Sequence, residues 1–222
     1  MKKKYIIMAL VLFSCAVMGI IDAVIRPGYL IKSFIKLPLF LILPLLYSLF
    51  DKEISLKKIL TPTKSGFIKA LLVGGGVFLI ILLAYFLLKD VFDFSMVTTA
   101  LTGDVGVTAK NFIWVSLYIS FANSFLEEFF FRGFAFFTLK QKSNRAFAYL
   151  FSSLAFSLYH IAMMIGWFNV WVILLATVGL FLGGIIFNYF NEKYENIYMS
   201  YLIHMFANFA INTIGFILFG VI

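Results

Sequence analysis

Two adjacent carboxylates stand inside an apolar stretch of this sequence. Glu127 and Glu128 lie in the run 112–137, ahead of three consecutive phenylalanines. Placing a charged side chain at the centre of a membrane helix costs about 2.5–3.5 kcal/mol, so such residues are functional candidates by default. Glu128 and Arg132 are four residues apart and would face each other as an ion pair on a helix. Glu127, turned about 100° away, lacks that local partner and is the candidate proton-transferring group.

The chain has only two histidines, and each lies in a later apolar segment. His160 ends a Phe156-x-x-x-His160 pattern, and His204 begins a His204-x-x-x-Asn208 pattern. The second spacing places His204 and Asn208 on one helix face, where two donors could receive the negative oxygen of a tetrahedral intermediate. Asn123, four residues before Glu127, shares its face and is expected to orient it.

Each of these residues also has an ordinary structural explanation. A glutamate pair at a helix end is usually solvated, a histidine in an apolar run is often a satisfied core group, and Asn208 could bond another helix. The functional interpretation rests on their joint occurrence in three successive motifs, with nearly no other ionisable residues in the later apolar runs.

The composition requires that these residues sit in or beside a lipid bilayer. Of 222 residues, 63% are hydrophobic and 13% are charged, and the mean hydropathy is +1.04. These values lie far outside the range of soluble domains. Seven runs approach the roughly 20 residues that a membrane helix needs; they are 5–24, 34–50, 67–88, 112–137, 146–165, 170–190 and 197–222.

None of the runs alternates with period two, so the spans should be helices rather than barrel strands. The sequence therefore predicts an all-α polytopic transmembrane bundle of about seven spans, with six or eight as alternatives. We divide it into N-terminal transmembrane helices (1–110) and a catalytic core of transmembrane helices (111–222), with the active site buried among the later helices. The run 5–24 also resembles a signal peptide, but it continues unbroken past Cys15, which favours a retained span.

The net charge of +8 is interpreted as a signal for orientation, not for nucleic acid, which we do not expect as a partner. With the N-terminus in the cytoplasm, five basic residues fall outside: Arg26, Lys32, Lys36, Lys89 and Lys110. Thirteen fall inside: Lys2, Lys3, Lys4, Lys52, Lys57, Lys58, Lys64, Lys69, Arg132, Lys140, Lys142, Arg145 and Lys193. This asymmetry predicts a multi-pass protein of the cell membrane, here taken as bacterial, with a cytoplasmic N-terminus and basic loops that touch lipid headgroups.

The three motifs resemble those of the CAAX prenyl protease type II and bacteriocin-processing family, also called CPBP or abortive-infection proteins. The family patterns are Glu-Glu-x-x-x-Arg, Phe-x-x-x-His and His-x-x-x-Asn, in that order. They stand here as Glu127-Glu128-x-x-x-Arg132, Phe156-x-x-x-His160 and His204-x-x-x-Asn208. Together they cover roughly residues 114–214, whereas the earlier runs match only in hydrophobicity.

The resemblance implies a glutamate-type intramembrane endopeptidase without a metal or other cofactor. By motif position Glu127 would act as general base and His160 would help to hold the water. His204 and Asn208 would stabilise the oxyanion, and Glu128 with Arg132 would fix the helix. The implied substrate is a peptide or a lipid-tethered protein, in peptide maturation or bacteriocin self-immunity, and the oligomeric state stays open.

Two alternatives remain. Glu127, His160 and His204 would also suit zinc, with an open position for water. Against zinc we note that His-Glu-x-x-His is absent, that Asn208 is a poor ligand, and that buried spans should offer the imidazoles few second-shell partners. A non-catalytic immunity or scaffold protein, or a proton-coupled transporter, could use the same carboxylates. No inverted repeat supports the transporter.

Overall fold

The computed structural model describes residues 2–51, 56–62 and 66–222, and within these ranges every regular element is helical. A single helical turn, Leu56–Ile59, separates the first two long helices from the rest. We label the longer helices α1 (Lys2–Ile25), α2 (Tyr29–Phe50), α3 (Phe67–Leu88), α4 (Ser95–Val105), α5 (residues 112–142), α6 (Arg145–Met164), α7 (Val170–Tyr194) and α8 (Tyr198–Leu218). The predicted all-α polytopic bundle is confirmed.

The predicted count of seven spans is not confirmed. Six helices of the described chain, α1, α2, α3, α6, α7 and α8, are long and apolar enough to cross a membrane. The predicted span 112–137 is absent from that set. It is the greater part of α5, which carries the charged motif of Glu127, Glu128 and Arg132.

The polar residues of α5 avoid lipid because this helix forms the centre of the bundle. Every residue from 126 to 136 is buried, which is typical of a helix surrounded by protein on all sides. Phe130 of α5 stacks on Phe40 of α2 with ring centroids 4.1 Å apart. Phe131 meets Phe156 of α6 edge to face at 5.4 Å. These ring contacts fix α2 and α6 against α5.

Both α2 and α5 contain π-helical segments next to the motif residues. In α2 the segment Pro38–Ile42 begins at a proline, which has no N–H to donate to the helix ladder. In α5 the segments are Ile119–Asn123 and Glu128–Phe136. Such segments are often found at functional sites, where they change the direction of side chains.

Close helix crossings complete the bundle. A Cβ added to Gly74 of α3 would lie 2.6 Å from the Phe206 ring of α8, and one added to Gly184 of α7 would lie 2.9 Å from Ser153 Cβ of α6. Small residues at both points let the helix backbones approach closely. The first helix also packs into the core, since Ile7 is fully buried, while Cys15 is half-buried and free.

Ion pairs gather several helix ends at one end of the bundle. Asp51, after α2, lies 2.9 Å from Lys3 of α1 and 3.8 Å from Lys142 of α5. Arg145, at the start of α6, lies 2.8 Å from Glu192 near the end of α7. The sequence analysis assigns all of these basic residues to the cytoplasmic side, and that orientation stays a prediction.

Two of the basic residues that were counted to predict the orientation do not lie in loops. Lys36, assigned there to the outside, is buried among helices, and so is Arg132, assigned to the inside. Neither marks a loop, because each neutralises a carboxylate within the protein. Lys52 and Lys64 lie outside the described residues.

We expect a reporter fused after Lys142 to be cytoplasmic and one fused after Gly166 to be external. The physical reason is the excess of basic side chains at the end that holds Lys3, Lys142 and Arg145. Paired alkaline phosphatase and green fluorescent protein fusions measure this directly. The opposite pair of signals would contradict the orientation.

Candidate active site

The Glu127 carboxylate is buried and bound through one of its two oxygens. Only 1% of its side chain is exposed. Its Oε1 accepts a hydrogen bond from Asn123 Nδ2 at 3.0 Å and one from Lys36 Nζ at 2.5 Å. Asn123 therefore contacts Glu127, as their four-residue spacing on α5 predicts. Lys36 was not expected here.

The other oxygen of Glu127 faces the two histidines. Within the described part of the chain, Oε2 has no hydrogen-bond partner. It lies 3.5 Å from Nε2 of His160 on α6 and 3.8 Å from Nε2 of His204 on α8. The structure thus brings together three predicted site residues from three helices.

Each imidazole is held through its other nitrogen. His160 Nδ1 lies 2.7 Å from the Phe156 carbonyl oxygen, which only accepts, so this nitrogen carries the proton. His204 Nδ1 lies 2.9 Å from Glu128 Oε1. Both contacts direct Nε2 toward Glu127 and, in the neutral rings, leave it as an acceptor. The expectation of few second-shell partners is wrong for both imidazoles.

Glu128 and Arg132 form the predicted ion pair beneath this group. Arg132 Nη1 lies 3.2 Å from Glu128 Oε1, and both side chains are fully buried. The guanidinium also lies over the ring of Phe156 at 4.0 Å and near that of Phe187 at 4.9 Å, an arrangement with cation–π stabilisation. Phe156 therefore covers the arginine while its carbonyl orients His160.

Asn208 is buried one helical turn after His204. Its Nδ2 donates to Ser124 Oγ at 2.8 Å and to the Ile119 carbonyl at 3.2 Å. These bonds tie α8 to α5 beside Glu127. Donation to an oxyanion would require the amide to exchange one of them, so this role of Asn208 stays a prediction.

Lys36 is the site residue that the sequence analysis missed. It lies within the predicted run 34–50, where a charged residue inside a span was itself a signal. Lys36 was instead assigned to the basic residues outside the membrane, which are not site candidates. Glu127 is consequently not the unpaired carboxylate that its local sequence indicates, because a lysine from another helix neutralises it.

The residues fit a metal poorly. No group of three or more His, Cys, Asp or Glu side chains in the described ranges is arranged to hold a metal ion. The ammonium of Lys36 also lies 2.5 Å from the same carboxylate, where it would repel a divalent cation. The features that suit zinc are the inward-facing Nε2 atoms, their Nδ1-bonded rings and the open Oε2 of Glu127.

These features define a polytopic helical membrane protein in which a buried carboxylate, two imidazoles and an amide meet among the later helices. Residues 109–210 match a family model described as type II CAAX prenyl endopeptidase Rce1-like. The match confirms the family resemblance carried by the three motifs, and it includes every motif residue. This family consists of CAAX-type intramembrane endopeptidases. No curated protein and no solved structure matches the chain.

We expect Arg132→Ala to reduce the amount of folded protein, because it leaves Glu128 as an uncompensated buried charge at a cost of about 3–5 kcal/mol. Thermal unfolding in detergent, followed by size-exclusion chromatography, measures the loss. Arg145→Ala is the matched control, since that arginine is exposed and a surface pair such as the one with Glu192 contributes little to stability. An Arg132→Ala variant that is fully stable but inactive would instead place Arg132 in the catalytic machinery.

Proposed function

We propose that this chain is an intramembrane endopeptidase that hydrolyses a peptide bond in a peptide or membrane-tethered protein substrate. The observation that carries the proposal is the free Oε2 of Glu127, which faces Nε2 of His160 at 3.5 Å and Nε2 of His204 at 3.8 Å. A water molecule bound beside these atoms, within hydrogen-bond reach of Oε2 and an Nε2, would have a base to take its proton and an imidazole to hold it.

In the proposed mechanism the water oxygen attacks the carbonyl carbon as its proton passes to Glu127 Oε2. The C–N bond then breaks, and the departing amine receives that proton. The products are a carboxylic acid and an amine, and Glu127 is ionised again. His160 acts by orienting the water, because its Nδ1 is already bonded to the Phe156 carbonyl.

The proposed oxyanion donors are His204 and Asn208. Since His204 Nδ1 is bonded to Glu128, the ring donates from Nε2 only when both nitrogens carry protons. A ring with protons on both nitrogens would donate to the negative oxygen of the intermediate through Nε2 while Nδ1 donates to Glu128. Glu128 thus contacts both Arg132 and the proposed oxyanion donor His204, in addition to its proposed role in fixing the helix.

The substrate class follows from the place of the site and from the family. The four proposed catalytic residues all lie in the core 111–222, among helices that a bilayer surrounds, so the substrate must reach them in or beside the membrane. Peptides and lipid-tethered proteins, including prenylated chains that end in a CAAX motif, meet this condition. Peptide maturation and bacteriocin self-immunity are the corresponding roles.

We expect Glu127→Gln and His160→Ala to reduce cleavage by at least about 100-fold in the folded, membrane-inserted fraction. Turnover is normalised to that fraction because Glu127→Gln also leaves the buried Lys36 ammonium without its carboxylate. The assay uses purified enzyme in proteoliposomes with internally quenched peptides, each with and without a farnesylated cysteine. Arg145→Ala serves as the control, since it lies at the far end of α6. Near wild-type turnover in either variant would refute the mechanism. Absence of turnover in the wild type would favour a non-catalytic immunity or scaffold protein.

A zinc peptidase is the second candidate, favoured by the convergence of Glu127 Oε2 with two Nδ1-bonded imidazoles. The Lys36 ammonium argues against it, because it already supplies the positive charge that a metal would bring to this carboxylate. Asn208 would have no part in zinc coordination. The metal-free mechanism uses every motif residue.

We expect the enzyme to keep its activity after exhaustive dialysis against a strong chelator, because Lys36 and the imidazoles supply the charges that the reaction needs. Elemental analysis by inductively coupled plasma mass spectrometry should find far less than one transition metal per chain. Activity lost on chelation and restored only by zinc would show that the zinc mechanism is the correct one.

A further inference from the structure

Lys36 is a buried lysine whose ammonium reaches the proposed general base. It lies on α2, one residue before the Leu37-Pro38 junction, and 5% of its side chain is exposed. Its Nζ lies 2.5 Å from Glu127 Oε1 and donates to Asn123 Oδ1 at 2.5 Å. Lys36, Asn123 and Glu127 therefore form a closed group of three side chains from two helices.

Aromatic packing fixes the place of this ammonium. Phe40, one turn after Lys36, stacks on Phe130 of α5, so α2 docks where Lys36 meets Glu127. The ammonium also lies 5.0 Å from the Phe40 ring centroid and 5.2 Å from that of Tyr159. These rings attract a cation while keeping water away from it.

The contacts of Glu127 divide its carboxylate into two parts. Lys36 and Asn123 hold Oε1, whereas Oε2 is left to face the histidines. Glu128 also has an oxygen, Oε2, without a hydrogen-bond partner among the described residues. What distinguishes Glu127 is that its open oxygen lies 3.5 Å from His160 Nε2 and 3.8 Å from His204 Nε2. One turn earlier on α2, Lys32 pairs with the buried Asp22 of α1, and 17% of the Lys32 side chain is exposed. Among the described residues this pair makes no hydrogen bond or ion pair with a motif residue.

We propose that Lys36 is a positioning residue for the peptidase reaction: it keeps Glu127 ionised and fixed through Oε1, so that Oε2 accepts the proton of the attacking water. The inference rests on the proposed function, because it assigns Lys36 a task in that same site. It extends the site to the N-terminal helices, outside the residues that the family model matches.

The decisive measurement compares Lys36→Met with Lys36→Arg across pH. Methionine keeps the length of the side chain without its charge, so kcat at neutral pH should fall by about 100-fold with little change in KM. The loss should shrink as the pH rises, because a higher pH ionises Glu127 without help from the ammonium. Arginine keeps the charge and should retain most of the activity.

Both variants retain the other charged and titratable residues near Glu127. They are Cys15 on α1, Tyr29 on α2, Tyr118, Glu128 and Arg132 on α5, Tyr159 and His160 on α6, and His204 on α8. A change in the pH profile that appears with Lys36→Met and not with Lys36→Arg is therefore assigned to the lost ammonium.

Lys32→Met is the matched control, since it removes a lysine from the same helix whose partner is a buried aspartate. It should lower thermal stability without altering the pH profile of kcat in the folded fraction. A Lys36→Met enzyme with wild-type kcat, or with a loss that is the same at every pH, would overturn the inference.

A second measurement separates this inference from the proposed function. This measurement is a double-mutant cycle read out by thermal unfolding. Lys36→Met should lower the melting temperature, because it leaves the Glu127 carboxylate without a counterion. Adding Glu127→Gln removes that uncompensated charge and should restore the melting temperature. This coupling is measurable even if no peptide is cleaved, in which case only the proposed function fails. Additive effects of the two substitutions would show that Lys36 does not neutralise Glu127.

Discussion

The arrangement of this bundle depends on neutralising charge where water is scarce. Two carboxylates lie side by side on α5, and each has a cation of its own: Lys36 for Glu127 at 2.5 Å and Arg132 for Glu128 at 3.2 Å. The four charges sum to zero. Because Lys36 belongs to α2, the neutrality of the site requires the N-terminal helices to dock against α5, and the phenylalanine contacts of Phe40 provide that docking.

The two carboxylates of the motif have different environments despite being neighbours. Each has one oxygen, Oε2, without a hydrogen-bond partner among the described residues. Glu127 is bonded through Oε1 to Lys36 and Asn123 and turns Oε2 toward the histidines, whereas Glu128 uses Oε1 for both Arg132 and His204. The four-residue spacings within the motifs follow from the same geometry. Asn123 reaches Glu127, Arg132 reaches Glu128, and the Phe156 carbonyl reaches His160, each across one helical turn. The four-residue spacing therefore lets a residue one turn away on the same helix orient each side chain that meets the others in the site.

Sequence patterns predict the local features of this protein well and its long-range contacts poorly. Helical class, the Glu128–Arg132 pair and the contact of Asn123 with Glu127 follow from hydropathy and from four-residue spacing. His160, His204 and Asn208 stand out as polar residues in apolar runs, and the family motifs assign their roles. The contact between Lys36 and Glu127 joins residues 91 positions apart, and no periodicity encodes it. The count of seven spans is not confirmed for a related reason: α5 is an apolar run that carries three charged motif residues, and it is not among the six described helices that are long and apolar enough to cross a membrane.

Lys36 changes what the motif region can do alone. The family match covers residues 109–210 and includes both carboxylates of the motif, but it does not include the cation of Glu127. A core of residues 111–222 would therefore carry one buried carboxylate without its counterion, which is a costly state in a medium of low dielectric constant. Glu127 would then bind a proton and be unable to act as the proposed base, or draw in water and loosen the packing around His160. The division of the chain at residue 110 is useful for describing sequence motifs, but the electrostatics of the site cross it.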